Sequence, residues 1–354
     1  MKVTWKFLAG LVLGFLAVLG FMWLAFCLNL GVPTGSSRWA YELNRRKHAL
    51  SQNAPEPRLL IAGGSGTLFG LSAREIEAQT GYHTINLGTH AALGTACILH
   101  ITEQDARPGD TVLLVLEYEL YNYGKVKQTW AHKLLVDYVL ARDPAFFRSL
   151  TLSEKWTLFM LTPTRRLIEG IKNRFRAEPP YDDAGLGAYS VRHLNEWGDL
   201  THHTREFRLK NREPILQSKS ALGRGLPERP DGFETIAAFC RWAETNHIRV
   251  LATYPNLCDR PEYHDAVGRA SIRKIEDLFA SLNVPVVGNY TNALLPEDEF
   301  LDTMYHLTED AALARTRKLI PELRAALTNA GPMLRNPPAA GSRSPSNSAT
   351  GNAP

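Results

Sequence analysis

The chain has 354 residues, 44% hydrophobic and 21% charged, enough apolar material for a sizeable core in one or two domains. Its net charge is only +4, and no Lys/Arg block is dense enough for a nucleic-acid face, so no nucleic-acid partner is expected. The four cysteines, Cys27, Cys97, Cys240 and Cys258, form no metal-ligand spacing, and neither a metal nor another cofactor is called for. Cys240 and Cys258 read as buried free thiols. A bridge between them would require export and Cα atoms ~4.4–6.8 Å apart.

The first element is an uncharged run from Phe7 to Leu28, rich in Phe, Leu, Val, Ala and Gly. As a helix it is long enough to cross a ~30 Å hydrocarbon layer. It exceeds an ordinary signal-peptide core and no A-x-A site follows, so an uncleaved signal anchor over residues 1–30 is expected, with the bilayer as a partner. Lys2 and Lys6 precede it, whereas Arg38, Arg45, Arg46 and Lys47 follow. A strict charge count favours one orientation, and the short tail before a long apolar run favours the other, with the large domain outside.

Residues 31–57 read as a linker with a short helical piece around 38–50, ending at Asn53-Ala54-Pro55-Glu56-Pro57. Strands are expected at Leu59–Ala62, His83–Leu87, Thr111–Leu116, Val250–Thr253 and Pro285–Val287 from their apolar runs. Between them, Ser72-Ala73-Arg74-Glu75 fits a capping box for a helix ending at Gly81. Further helices are expected over 91–104, 233–246 and 264–282, and a last one from an N-cap at Thr308 to about Thr328. Residues 125–176 read helical and 179–230 irregular, an insertion at about 120–230. From Gly331 the composition of Pro, Gly, Ser and Asn predicts a disordered tail. Five strands alternating with helices predict a parallel sheet covered on both faces, with chemistry at the strands' carboxyl ends.

At the first strand's end stands Ala62-Gly63-Gly64-Ser65-Gly66-Thr67, where small residues allow a sharp turn that presents Ser65. It is neither G-x-G-x-x-G nor a Walker A sequence. Before the last helix stands Asp302-Thr303-Met304-Tyr305-His306-Leu307. A nucleophilic serine needs an imidazole base, and that imidazole needs an acceptor on its other nitrogen. Asp302 and His306 can supply both if the loop folds back.

Together these blocks resemble the SGNH hydrolase superfamily over roughly 59–116 and 249–327. The resemblance implies a flavodoxin-like three-layer α/β fold with a five-stranded parallel sheet, and Ser65, Asp302 and His306 as catalytic residues. The family's Asp-x-x-His is here one residue longer. Gly88, in Asn86-Leu87-Gly88, matches the family's oxyanion glycine. The usual Gly-x-Asn-Asp after the third strand is missing and Leu116-Glu117-Tyr118-Glu119 stands there; Tyr118 or Asn256 could replace the lost donor. This departure, with the anchor and the insertion, resembles the exported SGNH-like proteins of bacterial polysaccharide O-acetylation and teichoic-acid D-alanylation. That likeness implies an inner-membrane, single-pass protein with a periplasmic or extracytoplasmic domain. It also implies an acylated glycan as substrate, a multi-span membrane O-acyltransferase as partner, and acyl transfer or ester hydrolysis. The competing expectation is a degenerate SGNH-like scaffold without turnover.

Other residues point elsewhere. His193, His202 and His203 lack a companion carboxylate or Cys at ligand spacing and read as loop residues. Glu117 and Glu119, two apart at a strand end, would share one side as a glycosidase pair does. Trp197, Trp242 and Tyr254 are sugar-stacking candidates whose commoner fate is core packing.

Overall fold

The computed structural model describes residues 5–126 and 132–329, so the tail expected from 331 lies outside them. The uncharged run forms one helix, α1 (Trp5–Leu28), whose 24 residues rise about 36 Å. It is long and apolar enough to cross a membrane, and most of it stands clear of the rest of the chain.

The helical piece expected within 31–57 forms, but it packs onto the domain and is not part of a loose linker. It is helix α2 (Arg38–Asn53), and Ala40, Leu43, Lys47 and Ser51, at spacings of three and four, bury one face against the domain. Then come β1 (Arg58–Gly63), the short α3 (Ser65–Leu68), α4 (Ala73–Thr80), β2 (His83–Asn86), α5 (Gly94–Asp105) and β3 (Thr111–Val115). Half of the expected capping box forms. Ser72 Oγ accepts the Glu75 N–H at 3.2 Å, but the Glu75 carboxylate turns to Arg317 Nε at 2.9 Å. Gly81 ends α4 at φ 77°, in the left-handed region that favours glycine.

The insertion carries α6 (His132–Ala141), α7 (Pro144–Ser149), α8 (Leu152–Leu161) and α9 (Thr164–Asn173). Largely irregular chain follows, with three 3₁₀ turns and the short α10 (Glu213–Leu216) and α11 (Ala221–Arg224), before α12 (Asp231–Thr245). The chain closes through β4 (Arg249–Thr253), β5 (Leu257–Cys258), α13 (Ala266–Ser281), β6 (Val286–Val287), β7 (Leu294–Leu295) and α14 (Glu309–Asn329). The parallel β5–β7 pair, Leu257–Cys258 with Leu294–Leu295, was not foreseen. Thr308 does not cap α14 as expected, since its Oγ1 is buried without a partner, although Glu309 and Asp310 do occupy the first turn.

The main sheet has the order β2-β1-β3-β4-β6, parallel throughout. Strand alternation divides the core. Leu60, Ala62, Val112, Leu114 and Ala252 face α5, α12 and α13, while Leu59, Ile61, Leu113, Val115 and Leu251 face α4 and α14. The order reverses between β1 and β3, and their carboxyl ends flank the crevice where such sheets bind ligands.

At the opposite end of β1, the buried Arg58 guanidinium meets both Asp110 carboxylate oxygens, at 2.9 and 2.5 Å. It also donates to the carbonyls of Ser51 and Asp105. All three guanidinium nitrogens donate to the surrounding oxygens, which is the condition for tolerating a buried ion pair. Asp110→Ala, which strands the guanidinium, is expected to destabilise the protein by about 3–5 kcal/mol in denaturant titration, whereas an exposed pair such as Arg241–Glu234 costs under about 1 kcal/mol to break.

Candidate functional site

β1 ends at Gly63, and the chain turns at once into α3, leaving half-buried Ser65 at the sheet's carboxyl edge. The turn is held by a residue that sequence reasoning had assigned elsewhere. The Glu117 carboxylate, buried just past β3, accepts the N–H of Gly64 at 3.0 Å and of Gly66 at 2.7 Å, one residue to each side of Ser65. Glycine is required at 64, because a Cβ there would stand 2.6 Å from Glu117 Oε2 and 2.8 Å from the Ala91 methyl. Burial pushes the Glu117 carboxyl up, against the opposing pull of those amides and of the His306 charge. Glu119 does not pair with Glu117, because a 3₁₀ turn from Tyr118 breaks the strand alternation. Glu119 instead accepts from the Ala221 N–H at 2.9 Å and the Tyr305 hydroxyl at 2.6 Å.

The second half of the site comes from the loop before α14. Phe300 and Leu307 form an antiparallel bridge, and the Leu301 N–H donates to the His306 carbonyl at 2.8 Å. This tight return absorbs the extra residue between acid and imidazole. Asp302 Oδ1 lies 2.8 Å from His306 Nδ1. Tyr189, from the irregular insertion, donates its hydroxyl to Asp302 Oδ2, and its oxygen stands 2.9 Å from the same Nδ1. With Nδ1–H directed at the carboxylate, the neutral ring keeps Nε2 as an acceptor, the tautomer a general base needs. Burial would raise the Asp302 carboxyl, but the hydrogen bonds from His306 and Tyr189 and the His306 charge outweigh it and hold it below its usual value. Burial, then Asp302, drives the Tyr189 hydroxyl far up, so it remains a donor.

Phe69 links the halves. Its ring stacks on His306 with centroids 4.5 Å apart, and its N–H donates to the Ser65 carbonyl at 3.0 Å, one turn of α3 away. Among the described residues no hydrogen bond joins Ser65 Oγ to His306.

The three expected oxyanion donors are placed differently. Gly88 sits against α3, where a Cβ would come within 2.8 Å of Leu68 Cα, but its N–H is directed at Asn86 Oδ1 at 2.9 Å. Its carbonyl accepts from the buried Lys47 ammonium at 2.5 Å, so α2 braces the β2 turn. Burial lowers Lys47 to about 7, with Asp199 opposing. Tyr118 is fully buried, its hydroxyl unpartnered near Tyr121, Tyr254 and Arg315 rather than at Ser65. Asn256 Nδ2 donates to the Tyr305 carbonyl, which makes Asn256 a clamp on the histidine's loop. Buried Arg315 completes the brace with bonds to the carbonyls of Gly70, at 3.0 Å, and Tyr254, at 2.5 Å.

Sequence reasoning missed Glu117 in this role, together with Tyr189, Trp39 and His90. Trp39 Nε1 donates to the Tyr189 carbonyl at 2.6 Å, and its ring meets His90 edge-on at 5.9 Å. His90 Nδ1 accepts the Ala92 N–H at 3.0 Å, so its neutral form carries the proton on Nε2. Burial, then the His306 charge, lowers His90 to about 4. Only His90, three residues past a strand end, and Glu117, closing an apolar run, carried any sequence signal. Tyr189 carried none.

The remaining candidates pack elsewhere. The rings of His193 and His202 lie 4.6 Å apart, while His203 Nδ1 turns to the Leu307 carbonyl at 2.9 Å. Trp197 lies under Arg74, Trp242 on Phe239, and the Tyr254 hydroxyl meets Glu276. All four cysteines are free, Cys97, Cys240 and Cys258 buried and Cys27 exposed on α1. Fold and site define a doubly wound α/β protein with a serine and an Asp–His pair at its topological switch point. No family model matches the chain, and no curated protein matches it significantly.

Two outcomes follow. Tyr189→Phe removes a hydrogen bond to a charged acceptor and is expected to cost about 1.5–3 kcal/mol in denaturant titration. His90 gives a pH signature. Its folded value of about 4 lies below the ordinary 6.5, so below that value the unfolded state takes up the proton first. The His90 contribution to stability is therefore complete above about 6.5 and is lost as pH falls towards 4, so the difference between wild type and His90→Gln changes across that window. Asp302 contributes only below its ordinary 3.8, outside that window. Identical profiles for wild type and His90→Gln would remove His90 from this account.

Proposed function

We propose that the chain is a membrane-anchored SGNH-type serine esterase or O-acyltransferase acting on acyl esters of an envelope or exopolysaccharide glycan. The observation that carries this reading is the Asp302–His306 pair, 2.8 Å apart, folded onto the Phe69 ring one α3 turn from Ser65. His306 Nε2 takes the Ser65 proton as Oγ attacks the acyl carbonyl, and Asp302 with Tyr189 orients the ring and stabilises its charged form. Collapse of the tetrahedral adduct expels the donor's oxygen, which recovers the proton from His306 and leaves an ester on Ser65. A glycan hydroxyl or water then attacks that ester as His306 takes the attacking group's proton. Collapse of the second adduct releases the acylated product and expels Ser65 Oγ, which recovers the proton from His306. The α1 helix is the single-pass anchor in the inner membrane, with the domain on the periplasmic side beside a multi-span O-acyltransferase.

A second reading has its own observation. The N–H groups of Gly64, Gly66 and Gly88 are all engaged, and among the described residues the Ser65 N–H has no hydrogen-bond partner. Oxyanion donors each contribute about 2.7–4 kcal/mol. Their shortage favours a catalytically degenerate scaffold of an envelope polysaccharide assembly.

Fluorophosphonate labelling of the full chain separates the two. The enzyme reading expects labelling of the wild type, its loss in Ser65→Ala and His306→Ala, and a fall of about 10³–10⁴-fold in labelling rate for Asp302→Asn. A folded wild type that stays unlabelled would leave the scaffold reading.

A further inference from the structure

Helices α8 and α9 of the insertion carry an apolar surface that the site does not use. On α8, Leu152, Trp156 and Met160 recur every fourth residue and are 78%, 44% and 62% exposed, while Leu158 is buried on the opposite face and Phe159 is buried beside Trp156. On α9 and just beyond it, Ile168, Ile171 and Phe175 recur at spacings of three and four, and Phe175 is 84% exposed. Exposed stripes at helical period in neighbouring helices make a built face rather than scattered surface residues.

This face is continuous with α1. Trp23 meets Phe159 at 5.1 Å and Trp156 at 6.0 Å, and Phe26 meets Phe159 at 5.5 Å. Beyond the helix end, Arg166 holds Asn29 Oδ1 at 2.6 Å, Asn29 Nδ2 donates to the Leu167 carbonyl at 3.2 Å, and Arg174 donates to the Leu28 carbonyl at 2.9 Å. Trp23 lies about 7.5 Å of helix rise before Leu28. When α1 spans a bilayer, α8 is therefore held level with the anchor's last turns, at the depth where Trp concentrates. Arg165, Lys172, Arg174 and Arg176 are exposed around the same helices, in register with anionic headgroups.

We propose that α8 and α9 form an interfacial platform that lies in the headgroup layer of an anionic bilayer, so that anchor and platform together fix the orientation of the domain on the membrane. The proposal rests on the reading of α1 as a membrane span. Charge complementarity and continuity with α1 select lipid over a protein partner as the occupant.

The test uses the full chain with Cys27→Ser, reconstituted into phosphatidylcholine–phosphatidylglycerol vesicles. Nitroxides are attached singly at Met160→Cys, Ile168→Cys, Leu16→Cys on the anchor and Arg241→Cys at an exposed position of α12. Collision with dissolved oxygen, which partitions into lipid, is compared with collision with a water-soluble nickel chelate. The expected oxygen-to-nickel ratio exceeds unity at Met160, Ile168 and Leu16 and falls below it at Arg241. A nickel-dominated signal at Met160 and Ile168 with oxygen dominance at Leu16 overturns the platform and keeps the anchor. Nickel dominance at Leu16 as well removes the anchor reading and the platform together. Labels at Met160 and Ile168 screened from both reagents would show a protein covering the face and overturn the lipid assignment.

Discussion

The site depends on one buried carboxylate. Glu117 leaves the end of β3 and takes the two glycine amides that flank Ser65 at the end of β1, bridging the crevice where the strand order reverses. A carboxylate shut away from water costs several kcal/mol unless its lone pairs are used, and the paired amides are what permit it. The bridge fixes the backbone on both sides of Ser65, which a four-residue helix could not do alone. It also sets a buried acidic group against the turn that carries Ser65, where it opposes negative charge on a neighbouring atom. The contact that fixes the turn also occupies the Gly64 and Gly66 amides, while Asn86 takes the Gly88 amide.

Around this bridge three distant stretches of chain converge. The N-terminal α2 supplies Trp39 and Lys47, the irregular insertion supplies Tyr189, and the loop before α14 supplies Asp302 and His306. Each is tied down separately. Asn256 and Glu119 grip Tyr305 beside the histidine, and Arg315 joins the ends of the α3 turn and β4. Convergent bonding from several elements gives an imidazole one orientation, which its own rotamer freedom would not. The insertion thus has two ends with different duties. Tyr189 reaches the Asp–His pair, while α8 and α9 pack against the apolar helix at the chain's start.

The fold was largely legible because its signals are local. The five strands of the main sheet lie within a residue or two of the expected apolar runs, and the helices of the β–α repeats follow the expected periodicity. What failed depended on partners far along the chain. Residues 31–57 read as a linker because α2 is polar on average, yet Ala40, Leu43 and Lys47 line one buried face. The β5–β7 pair was not foreseen, and Thr308 turned away from a cap its position suggested.

By itself the sequence determined the anchor-like run, the alternating sheet, and the placing of Ser65 and of the Asp302–His306 loop at strand and helix ends, since each follows from composition or spacing within a few residues. It also kept Ser65, Asp302 and His306 in view as a group, through their likeness to a known arrangement. Only the tertiary structure decided which groups surround them. Gly88 and Tyr118 matched expected positions, but hydrogen bonding and burial gave them other partners, and Asn256 became a clamp on a loop about fifty residues later. Glu117 and Tyr189 entered because a buried carboxylate and a buried imidazole each require satisfied partners, and such partners are chosen by proximity in space, which local sequence pattern does not encode.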